Sequence, residues 1–518
     1  MVEFNREKKK LDTPKDFGLV ITPPKTAQYI VSKLGPYNEN ERILDPCVGP
    51  GIFIKSLLEV GVDRKNIVGY DLNPQYKKEY KRLGIHFEVK DYLLSFSPLF
   101  SNKFDVILGN PPYLNKASSY VRANRQKLKQ IYGKINAHET YSMFIVSSIW
   151  RLKNKGRLGF IISDSFLTLK THQKLRSFIL NTCKIKEILL TPQNLFNNQN
   201  VSTNTVIIIL EKSFGEKNAS ERLNNIMRII PEVNNENEYW NPNKVNKIVQ
   251  KKYHSLPFFF TDVEEAVIDL FEKAPKLEQY IKGYIGMHTH NNRKFIAAIE
   301  GTEIAKVFDK RNKKIDDTKK HYKIINMKQF KSGKWKPYLK RGGAEQYYRP
   351  IMEALDWREE SIKIYDIPSN APFEKEGLVI SGVSSRLAAR YMPKGCYWDS
   401  NKAIGFLIKR NTLSIEYMLG VLNSSLYNYL MNGLINNTNS IQLTGIHALP
   451  FILPDDTTKT EIEKRVKKII EELKKDFAYD YTNHQKEIDI KIFELYQKKF
   501  NFSNYLKQKL DIHYSIYP

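Results

Sequence analysis

Short apolar segments alternate with amphipathic segments over residues 1–215, a pattern that predicts strands separated by helices. The predicted strands are Arg42–Leu44, Ile67–Tyr70, His86–Val89, Phe104–Leu108, Leu158–Ile162, Glu187–Leu190 and Thr205–Leu210. The predicted helices are Thr26–Leu34, Gly51–Val60, Pro74–Leu83, Thr140–Lys153 and Thr171–Asn181. This spacing predicts an α/β fold with a mostly parallel, doubly wound sheet. The last two strands follow each other closely, as an antiparallel pair would.

The hydrophobic pattern changes after residue 215. Residues 216–255 are rich in Asn and show little periodicity, so we expect a linker or a peripheral insertion. Residues 256–455 contain short strands, turns and many Lys, whereas the segment from Asp456 onward is charged and helical. Its predicted apolar face consists of Ile462, Val466, Ile469, Ile470 and Leu473. We therefore divide the chain into residues 1–245, 246–455 and 456–518.

The composition is typical of a soluble globular protein, with 41% hydrophobic and 27% charged residues among 518. No apolar run approaches the roughly 18 residues of a membrane span, and the N-terminus has no apolar signal segment. Three scattered cysteines, Cys47, Cys183 and Cys396, cannot form a disulfide framework and include no Cys-x-x-Cys pair for zinc. We expect a reducing, cytoplasmic location.

The net charge is the strongest signal in the composition. Lys and Arg number 82 against 56 acidic residues, which gives a net charge of +26. Such an excess favours a polyanionic partner, because binding releases counterions and long-range attraction steers association. The alternative is a Lys-rich composition that only covers solvated faces.

A glycine-rich turn follows the first predicted strand and reads Asp45-Pro46-Cys47-Val48-Gly49-Pro50-Gly51. Its glycines allow the backbone to approach a ligand. Asp71 ends the second strand, where it could accept hydrogen bonds from ribose hydroxyls, and Asp91 ends the third, where it could accept from an adenine amino group. The turn matches neither phosphate-binding motif, so a nucleoside carrying an amino acid fits better than a nucleotide. Structural turns and helix caps are the alternatives.

The fourth predicted strand ends in Asn110-Pro111-Pro112-Tyr113. The Asn110 side-chain oxygen and the Pro111 carbonyl could both accept hydrogen bonds from a planar amino group, and Tyr113 could stack on its ring. Two acceptors would localise the nitrogen lone pair for attack on a sulfonium methyl group, a reaction that needs no metal. The alternative is a rigid turn with a buried Tyr. Phe196 is the candidate for a second stacking aromatic, and its alternative is a core position.

These motifs together resemble the gamma-class N6-adenine DNA methyltransferases of the TaqI-like type. Thr22-Pro23-Pro24 resembles the N-terminal cofactor motif of that family, and Asn110–Tyr113 its catalytic signature. The resemblance implies a cofactor site made by Thr22, Pro23, Asp45, Pro46, Cys47, Gly49, Gly51, Asp71, Asp91 and Asn110. It implies a catalytic site made by Asn110, Pro111, Pro112, Tyr113 and Phe196, with Phe196 stacking on the flipped adenine.

The resemblance is closest over residues 14–212 and looser in the C-terminal half. There, Tyr284–Thr289, Trp335–Tyr338, Leu422–Ser425 and Leu449–Phe451 resemble pieces of a target recognition domain, and His290 replaces a frequent Gly. The family implies a Rossmann-like class I methyltransferase domain at 1–245, an α+β recognition domain at 246–455 and a C-terminal helical segment at 456–518. It also implies S-adenosylmethionine as methyl donor and double-stranded DNA as substrate. We expect a monomer with a separately encoded cognate restriction endonuclease.

A basic strip with interleaved aromatic residues lies between Lys306 and Arg341, with fourteen Lys or Arg and three Asp. Such a strip could contact phosphates, while Arg, Asn, Gln or Lys side chains in polar turns could contact bases. The candidate DNA-binding residues are Lys334, Lys336, Arg341, Arg386, Arg390, Asn437 and Gln442. For each of them the alternative is a solvated surface position.

Four other functions compete with adenine methylation. Cytosine-N4 methylation uses the same chemistry, and the Asn-Pro-Pro-Tyr signature also occurs in enzymes that act on RNA or protein glutamine. A bifunctional restriction enzyme is a third alternative, with Glu88-Val89-Lys90 as its nuclease-like motif. We expect no nuclease, because this motif lies in a predicted cofactor-domain strand and the cofactor motif begins close to Met1. A binding subunit with an inactive fold is the fourth.

Overall fold

The computed structural model describes residues 20–96, 103–135, 139–193, 195–196, 199, 204–254, 256, 258–400, 402–409, 413–435 and 441–516, the last few by backbone alone. The chain forms two compact units, Met1–Val263 and Glu264–Pro518. Among the described helices, none combines the length and apolar character needed to cross a membrane.

The first unit is built on a nine-stranded mixed sheet with the strand order β3-β2-β1-β4-β5-β7-β6-β8-β9. Its strands are β1 (Ile43–Asp45), β2 (Ile67–Asp71), β3 (His86–Val89), β4 (Phe104–Gly109), β5 (Leu152–Ser163), β6 (Cys183–Leu190), β7 (Thr205–Lys212), β8 (Ile226–Ile230) and β9 (Asn246–Val249). Strands β3, β2, β1, β4 and β5 are parallel neighbours, and β7 is antiparallel to both β5 and β6. The predicted α/β class and the closing antiparallel pair are therefore confirmed.

The helices of the first unit are α1 (Pro24–Leu34), α2 (Ile52–Glu59), α3 (Lys77–Arg82), α4 (Ser119–Ala123), α5 (Arg125–Tyr132), α6 (Thr140–Arg151), α7 (Ser165–Thr168), α8 (Gln173–Thr182) and α9 (Ala219–Leu223). All five predicted helices are present, with ends moved by at most three residues. Strands β1 and β4 are almost fully buried because they lie in the middle of the parallel part of the sheet, where both faces are covered.

The expectation of a linker or peripheral insertion at residues 216–255 is wrong. Strand β8 pairs in parallel with β6, and β9 pairs antiparallel with β8, so this segment completes the sheet. The Tyr239 ring is fully buried in the same core cluster as α1. The apolar segments of β8 and β9 lie among many Asn residues. A strand of four or five residues is also too short to show the alternation of apolar and polar positions.

The second unit contains a four-stranded sheet, ordered β10-β18-β15-β16, and a five-stranded sheet, ordered β12-β11-β14-β13-β17. The strands are β10 (Ile281–Ile285), β11 (Ile296–Ile299), β12 (Lys323–Ile325), β13 (Trp335–Leu339), β14 (Glu353–Asp356), β15 (Gly377–Ser381), β16 (Ala389–Met392), β17 (Tyr397–Trp398) and β18 (Ala403–Ile408). Antiparallel pairs predominate, short helices lie between several of the strands, and the three longest helices follow the last strand, which is typical of an α+β arrangement.

The helices of the second unit are α10 (Glu265–Lys273), α11 (Asn292–Phe295), α12 (Glu303–Asn312), α13 (Met327–Phe330), α14 (Glu359–Ile362), α15 (Ile415–Asn423), α16 (Ser425–Asn428), α17 (Leu443–Ala448), α18 (Asp456–Lys475), α19 (Thr482–Phe500) and α20 (Asn504–Ile516). In α18 the buried residues are the five predicted from the pattern. A Cβ at Gly420 of α15 would clash with Ile462 of α18, so the two helices pack closely.

The boundaries of the compact units differ from the division expected from the sequence. Strand β9 continues the first sheet past residue 245, and the division lies between Val263 and Glu264. The helices after Asp456 pack within the second unit instead of forming a separate body, since α18 contacts α15 and α19 contacts α10. The assignment of catalysis to the first unit and of DNA recognition to the second remains a prediction.

Candidate active site

A cavity of about 490 Å³, which we call the strand-end pocket, opens in the first unit where its parallel strands end. Pockets of open parallel sheets form at the carboxyl ends of the strands, and this size suits a small organic ligand. Its lining includes Val20, Ile21, Thr22, Pro46, Cys47, Gly49, Asp71, Asp91, Asn110, Pro112, Tyr120 and Phe144. The structure thus brings five separate segments to one cavity, namely those that carry Thr22, the glycine-rich turn, Asp71, Asp91 and Asn110.

Glycine is required in the turn after β1 for conformational and steric reasons. Gly49 and Gly51 have φ values of 52° and 85°, in the left-handed region that favours glycine. A Cβ at Gly51 would also clash with the Tyr80 hydroxyl, which donates to the Gly49 carbonyl at 2.8 Å. The turn can therefore follow the cavity wall without side chains filling the space.

Asp71 stabilises the glycine-rich turn from the end of β2. Its carboxylate accepts from the Gly49 and Asn73 amides, both at 2.8 Å. Burial raises the pKa of Asp71, and the two amide donors oppose that effect. The half-buried carboxylate thus lines the pocket and keeps the turn close to β2.

Asp91 also lines the pocket, but its oxygens already have protein partners. The Tyr120 hydroxyl lies 3.0 and 3.1 Å from the two carboxylate oxygens, and the Leu93 and Leu94 amides donate to Oδ1 at 3.1 and 2.9 Å. Asp91 is therefore both a turn cap and a lining residue. A ligand amino group would share this carboxylate with Tyr120.

Asn110 follows β4 and presents an unpartnered acceptor. Its Nδ2 donates to the Val20 carbonyl at 3.0 Å, which orients the amide. The opposite atom, Oδ1, is buried and has no hydrogen-bond partner among the described residues. An unmet buried acceptor costs roughly 1–3 kcal/mol, so such atoms are uncommon unless a ligand uses them.

The residues after Asn110 are held rigidly. The Pro112 carbonyl accepts from the Thr140 hydroxyl, and the Tyr113 hydroxyl donates to the Ile161 carbonyl at 3.3 Å. Pro112 lines the pocket, whereas Pro111 is buried and Tyr113 is half-buried, and neither belongs to the lining. The structure thus brings part of the predicted catalytic signature to the cavity.

Phe196 is placed in the core and not in the pocket. Its side chain is 3% exposed and belongs to the hydrophobic cluster that contains α1 and the central strands. In this conformation no ring face is available for a base. A stacking role for Phe196 would require it to leave the core, and this role remains a prediction.

Three predicted cofactor residues, Pro23, Asp45 and Gly51, do not belong to the lining. Pro23 is the N-cap of α1, and Asp45 is fully buried, with its Oδ1 accepting from the Cys47 amide at 3.1 Å. Burial raises the pKa of Asp45 to about 8, and the nearby Asp71 charge adds to the shift. Asp45 Oδ2 has no hydrogen-bond partner among the described residues.

Sequence reasoning missed the residues that hold the N-terminal wall of the pocket. Gln199 exchanges two hydrogen bonds with the backbone of Ile21, both at 2.7 Å, and Glu236 accepts from the Thr26 amide at 3.0 Å and its hydroxyl at 2.7 Å. These partners are about two hundred positions from α1 along the chain, and a lone Gln or Glu has no sequence signal.

The predicted DNA-binding residues have different environments in the second unit. Lys334 and Gln442 are exposed, and Lys336 is partly buried and donates to Glu374 at 2.7 Å. Arg386 is also partly buried, with its Nε donating to the Ala344 carbonyl at 2.8 Å. Asn437 lies outside the described residues.

Arg390 does not occupy the solvated turn assumed for it. It belongs to strand β16 and is 3% exposed, and its guanidinium lies near Glu345 and the Arg341 carbonyl. Burial lowers the pKa of Arg390 to about 10, with the Arg349 charge adding to this effect. A buried side chain in a strand cannot contact a base without rearrangement, so a base contact by Arg390 would require it to leave this position, and the contact remains a prediction.

A second cavity, of about 630 Å³, lies in the second unit and is strongly basic; we call it the cationic pocket. Its lining comprises Asn292, Arg293, Ile296, Phe308, Arg311, Tyr322, Lys340, Arg341, Gly342, Glu353, Val383 and Lys402. Arg293 lies over the Tyr322 ring at 4.8 Å, and Arg341 lies over the Phe308 ring at 5.7 Å. Of the predicted DNA-binding residues, Arg341 alone belongs to this lining.

The aromatic rings hold the guanidinium groups of the cationic pocket in place. Arg311 also faces the Tyr322 ring, at 5.6 Å, and a hydrogen bond from Arg293 lowers the pKa of Tyr322. Glu353 is buried and accepts from Arg341 Nε at 3.1 Å. The lining of the cationic pocket contains five cationic side chains and one acidic side chain, Glu353. This excess of positive charge favours an anionic ligand.

Comparison with known proteins finds similarity to restriction-modification methylases within the first unit. Residues 62–196 match the Eco57I restriction-modification methylase family. This segment resembles those methylases. The type II methyltransferase M.HincII of Haemophilus influenzae is 28% identical over 177 residues, and M.TthHB8I of Thermus thermophilus is 30% identical over 173 residues. Each match covers about a third of this chain, and 33% and 39% of the respective relatives.

A solved structure resembles most of the chain in fold. It is a nuclease-deletion mutant of the Type ISP restriction-modification enzyme LlaGI, in complex with a DNA substrate mimic. The similarity covers 88% of this chain and 54% of that one, with a TM-score of 0.50 and 14% identity. At this identity the similarity shows the fold alone.

Proposed function

We propose that this chain is an S-adenosylmethionine-dependent DNA methyltransferase that modifies the exocyclic N6 of an adenine swung out of duplex DNA. The observation that supports it best is the buried, unpartnered Oδ1 of Asn110 at a cavity lined by a glycine-rich turn and two strand-end carboxylates. Similarity to type II methyltransferases over residues 62–196 favours the same chemistry.

The strand-end pocket fits the proposed donor in shape and charge. Its glycine-rich turn leaves room for a nucleoside, and Asp71 and Asp91 place negative charge beside a ligand that carries a sulfonium and an ammonium group. Lys90, the basic residue of the lining, is paired with Glu88 at 3.0 Å. When bound, S-adenosylmethionine supplies the electrophilic methyl group, and Asp71 is the residue proposed to hold its ribose.

Asn110 and Pro111 are proposed to activate the amino group of the target base. The adenine amino nitrogen is a poor nucleophile because its lone pair is delocalised into the ring. Two acceptors, Asn110 Oδ1 and the Pro111 carbonyl, would hold its protons and localise that pair on the nitrogen. The excess proton leaves to solvent after transfer. Tyr113 is the proposed stacking aromatic, and Phe196 would join it only after leaving the core.

Double-stranded DNA is the proposed substrate, and the second unit is proposed to bind it. The net charge of +26 and the cationic pocket favour a polyanion. Extruding a base costs a few kcal/mol, which phosphate and base contacts would have to offset. The proposal includes a monomeric, cytoplasmic enzyme whose cognate restriction endonuclease is a separate protein.

The substitution Asn110→Ala tests this proposal, with Asn115→Ala as the matched control. Asn115 lies in the same loop, is exposed, and accepts from the Ala117 amide at 2.9 Å. We expect Asn110→Ala to lower methyl transfer by about 10²–10³-fold, the size of effect seen when one transition-state hydrogen bond is removed. Binding of S-adenosylmethionine and DNA should stay close to the wild-type values, and Asn115→Ala should retain activity. Undiminished transfer by Asn110→Ala would contradict the proposal.

A further inference from the structure

Three side chains that suit a transition-metal ion converge in the second unit. His288, His290 and Asp366 each offer one ligand atom, and these atoms all lie within 4.8 Å of one another. His290 Nε2 is 2.9 Å from Asp366 Oδ2. No other group of three or more His, Cys, Asp or Glu residues meets this condition within the described ranges. All three residues are exposed, so an ion could reach them from solvent.

The backbone positions two of these residues before any ion binds. His288 and Asp366 form an isolated antiparallel bridge in which each amide donates to the other carbonyl, at 3.1 and 3.0 Å. His288 and Asp366 are 78 positions apart in the chain, so the fold and not the local sequence brings them together. Ligands that the fold already holds together lose less conformational entropy on binding.

His290 adopts a backbone conformation that non-glycine residues seldom use. Its φ is 59°, in the left-handed region, and it precedes the N-cap of α11 at Asn291. Such positions cost free energy and concentrate at functional sites. This conformation directs the imidazole towards Asp366 and beside His288, whose ring centroid is 4.7 Å from that of His290.

We propose that His288, His290 and Asp366 bind one divalent transition-metal ion with the ligand preferences of zinc, the remaining positions being filled by water. Two imidazoles and one carboxylate match the donors that zinc accepts, whereas magnesium and calcium prefer oxygen ligands alone. Ligand atoms around tetrahedral zinc lie about 3.4 Å apart, so the exposed side chains need to move by about 1 Å.

The ion would act as a structural clip and not as a catalyst. It would join the segment between β10 and α11 to the segment after α14, which the bridge of His288 and Asp366 already brings together. Asn292 and Arg293 of the cationic pocket begin α11 directly after this site. Metal binding would therefore restrict the position of that wall of the pocket. This inference depends on the local geometry and not on the proposed methyltransferase activity.

The test is zinc binding by the full chain, purified without a polyhistidine tag, stripped with chelator and dialysed. Titration with zinc chloride, followed by calorimetry and thermal unfolding, should give one ion per chain and a higher Tm. His290→Asn should weaken binding by more than about tenfold, the cost of losing even an outer-shell partner of a metal ligand. Asn tolerates the left-handed conformation, so the metal-free Tm of the variant should match the wild type.

The control is His86→Ala, which removes an exposed imidazole that is paired with one carboxylate, Glu88, at 2.9 Å. This variant should bind zinc as the wild type does, and Asp366→Asn should weaken binding as His290→Asn does. A tenfold excess of magnesium should not displace the ion. The proposal is overturned if the wild type binds no stoichiometric zinc, if His290→Asn binds with wild-type affinity, or if His86→Ala weakens binding equally.

Discussion

The strand-end pocket and the cationic pocket are similar in size, at about 490 and 630 Å³, but opposite in charge. The first is lined by Asp71 and Asp91 and by glycine backbone, and the second by five cations and two aromatic rings. Cavity size therefore does not distinguish their ligands, whereas charge does. The charge of the lining favours a cationic ligand in the strand-end pocket and an anionic ligand in the cationic pocket.

The two pockets also hold their charges differently. In the strand-end pocket, backbone amides hold Asp71, so the carboxylate is oriented while its charge remains available to a cation. In the cationic pocket, Arg293 and Arg311 lie against the face of Tyr322, which orients the guanidinium groups without neutralising them. Both arrangements keep a charge in place for a ligand of opposite sign.

The largest expected effect concerns Phe196, a proposed stacking residue of the strand-end pocket that the structure places in the hydrophobic core. If Phe196 is a core residue, Phe196→Ala should lower the free energy of unfolding by about 3 kcal/mol or more. Phe214→Ala is the control, because Phe214 is 63% exposed and its loss should have little effect. Denaturant unfolding measures both. A Phe196→Ala protein with wild-type stability but impaired base extrusion would contradict the core assignment and support the stacking role of Phe196.

The charge of Asp71 should decide whether the strand-end pocket binds a cationic donor. Asp71→Asn keeps the shape of the side chain and removes its charge, so S-adenosylmethionine affinity should fall about thirtyfold, the equivalent of one charged hydrogen bond of about 2 kcal/mol. The matched control is Glu79→Ala, an exposed acid on α3. Calorimetric titration measures the affinity. Equal affinities for Asp71→Asn and wild type would remove the electrostatic distinction between the pockets.

The guanidinium groups of the cationic pocket should decide DNA affinity. The double substitution Arg293→Ala and Arg311→Ala should weaken duplex binding about tenfold at low salt, and reduce the salt slope of the affinity by about 0.9 for each lost phosphate contact. The control pair, Lys464→Ala and Lys467→Ala, removes the same charge from exposed positions of α18, outside the basic strip. Fluorescence anisotropy over a salt series distinguishes them. Equal slopes in the two double variants would assign DNA binding elsewhere.

Asp45 should make the stability of the fold depend on pH. Its pKa rises from 3.8 to about 8 on folding, so the folded chain retains a proton that the unfolded chain has lost. This contribution is complete below about pH 4 and is lost as the pH rises towards 8. Relative to Asp45→Asn, the wild type should lose at most about 1.4 kcal/mol per pH unit in that window. Burial also raises the pKa of Asp164 to about 6 and of Asp489 to about 7, but both groups titrate in the wild type and in the variant, so their contributions cancel in the difference. A constant difference across this range would contradict the raised pKa.

Local patterns predicted the strand-end pocket well, because each motif lies within a few residues of a strand end. The glycine-rich turn, Asp71, Asp91 and Asn110 all follow predicted strands, and the sheet brings them to one edge. Contacts between distant segments could not be predicted in this way. The Gln199 hydrogen bonds to Ile21 span 178 positions, and the cationic pocket combines residues from 292 to 402.

The burial of individual side chains was also not predictable from the sequence. Phe196 and Arg390 occupy segments that contain polar residues, yet each side chain is only 3% exposed. Residues 216–255 were expected to be peripheral, yet they complete the central sheet. In each case tertiary packing outweighed local composition, since whether a side chain is covered depends on elements far away in the chain.

The most direct test of the account is to identify the methylated product. Purified protein is incubated with methyl-labelled S-adenosylmethionine and duplex DNA, with RNA and protein substrates in parallel, and the DNA is digested to nucleosides for mass spectrometry. We predict labelled N6-methyldeoxyadenosine from the wild type and none from Asn110→Ala. Labelled N4-methyldeoxycytidine, label confined to RNA or protein, or equal product from both proteins would contradict the account.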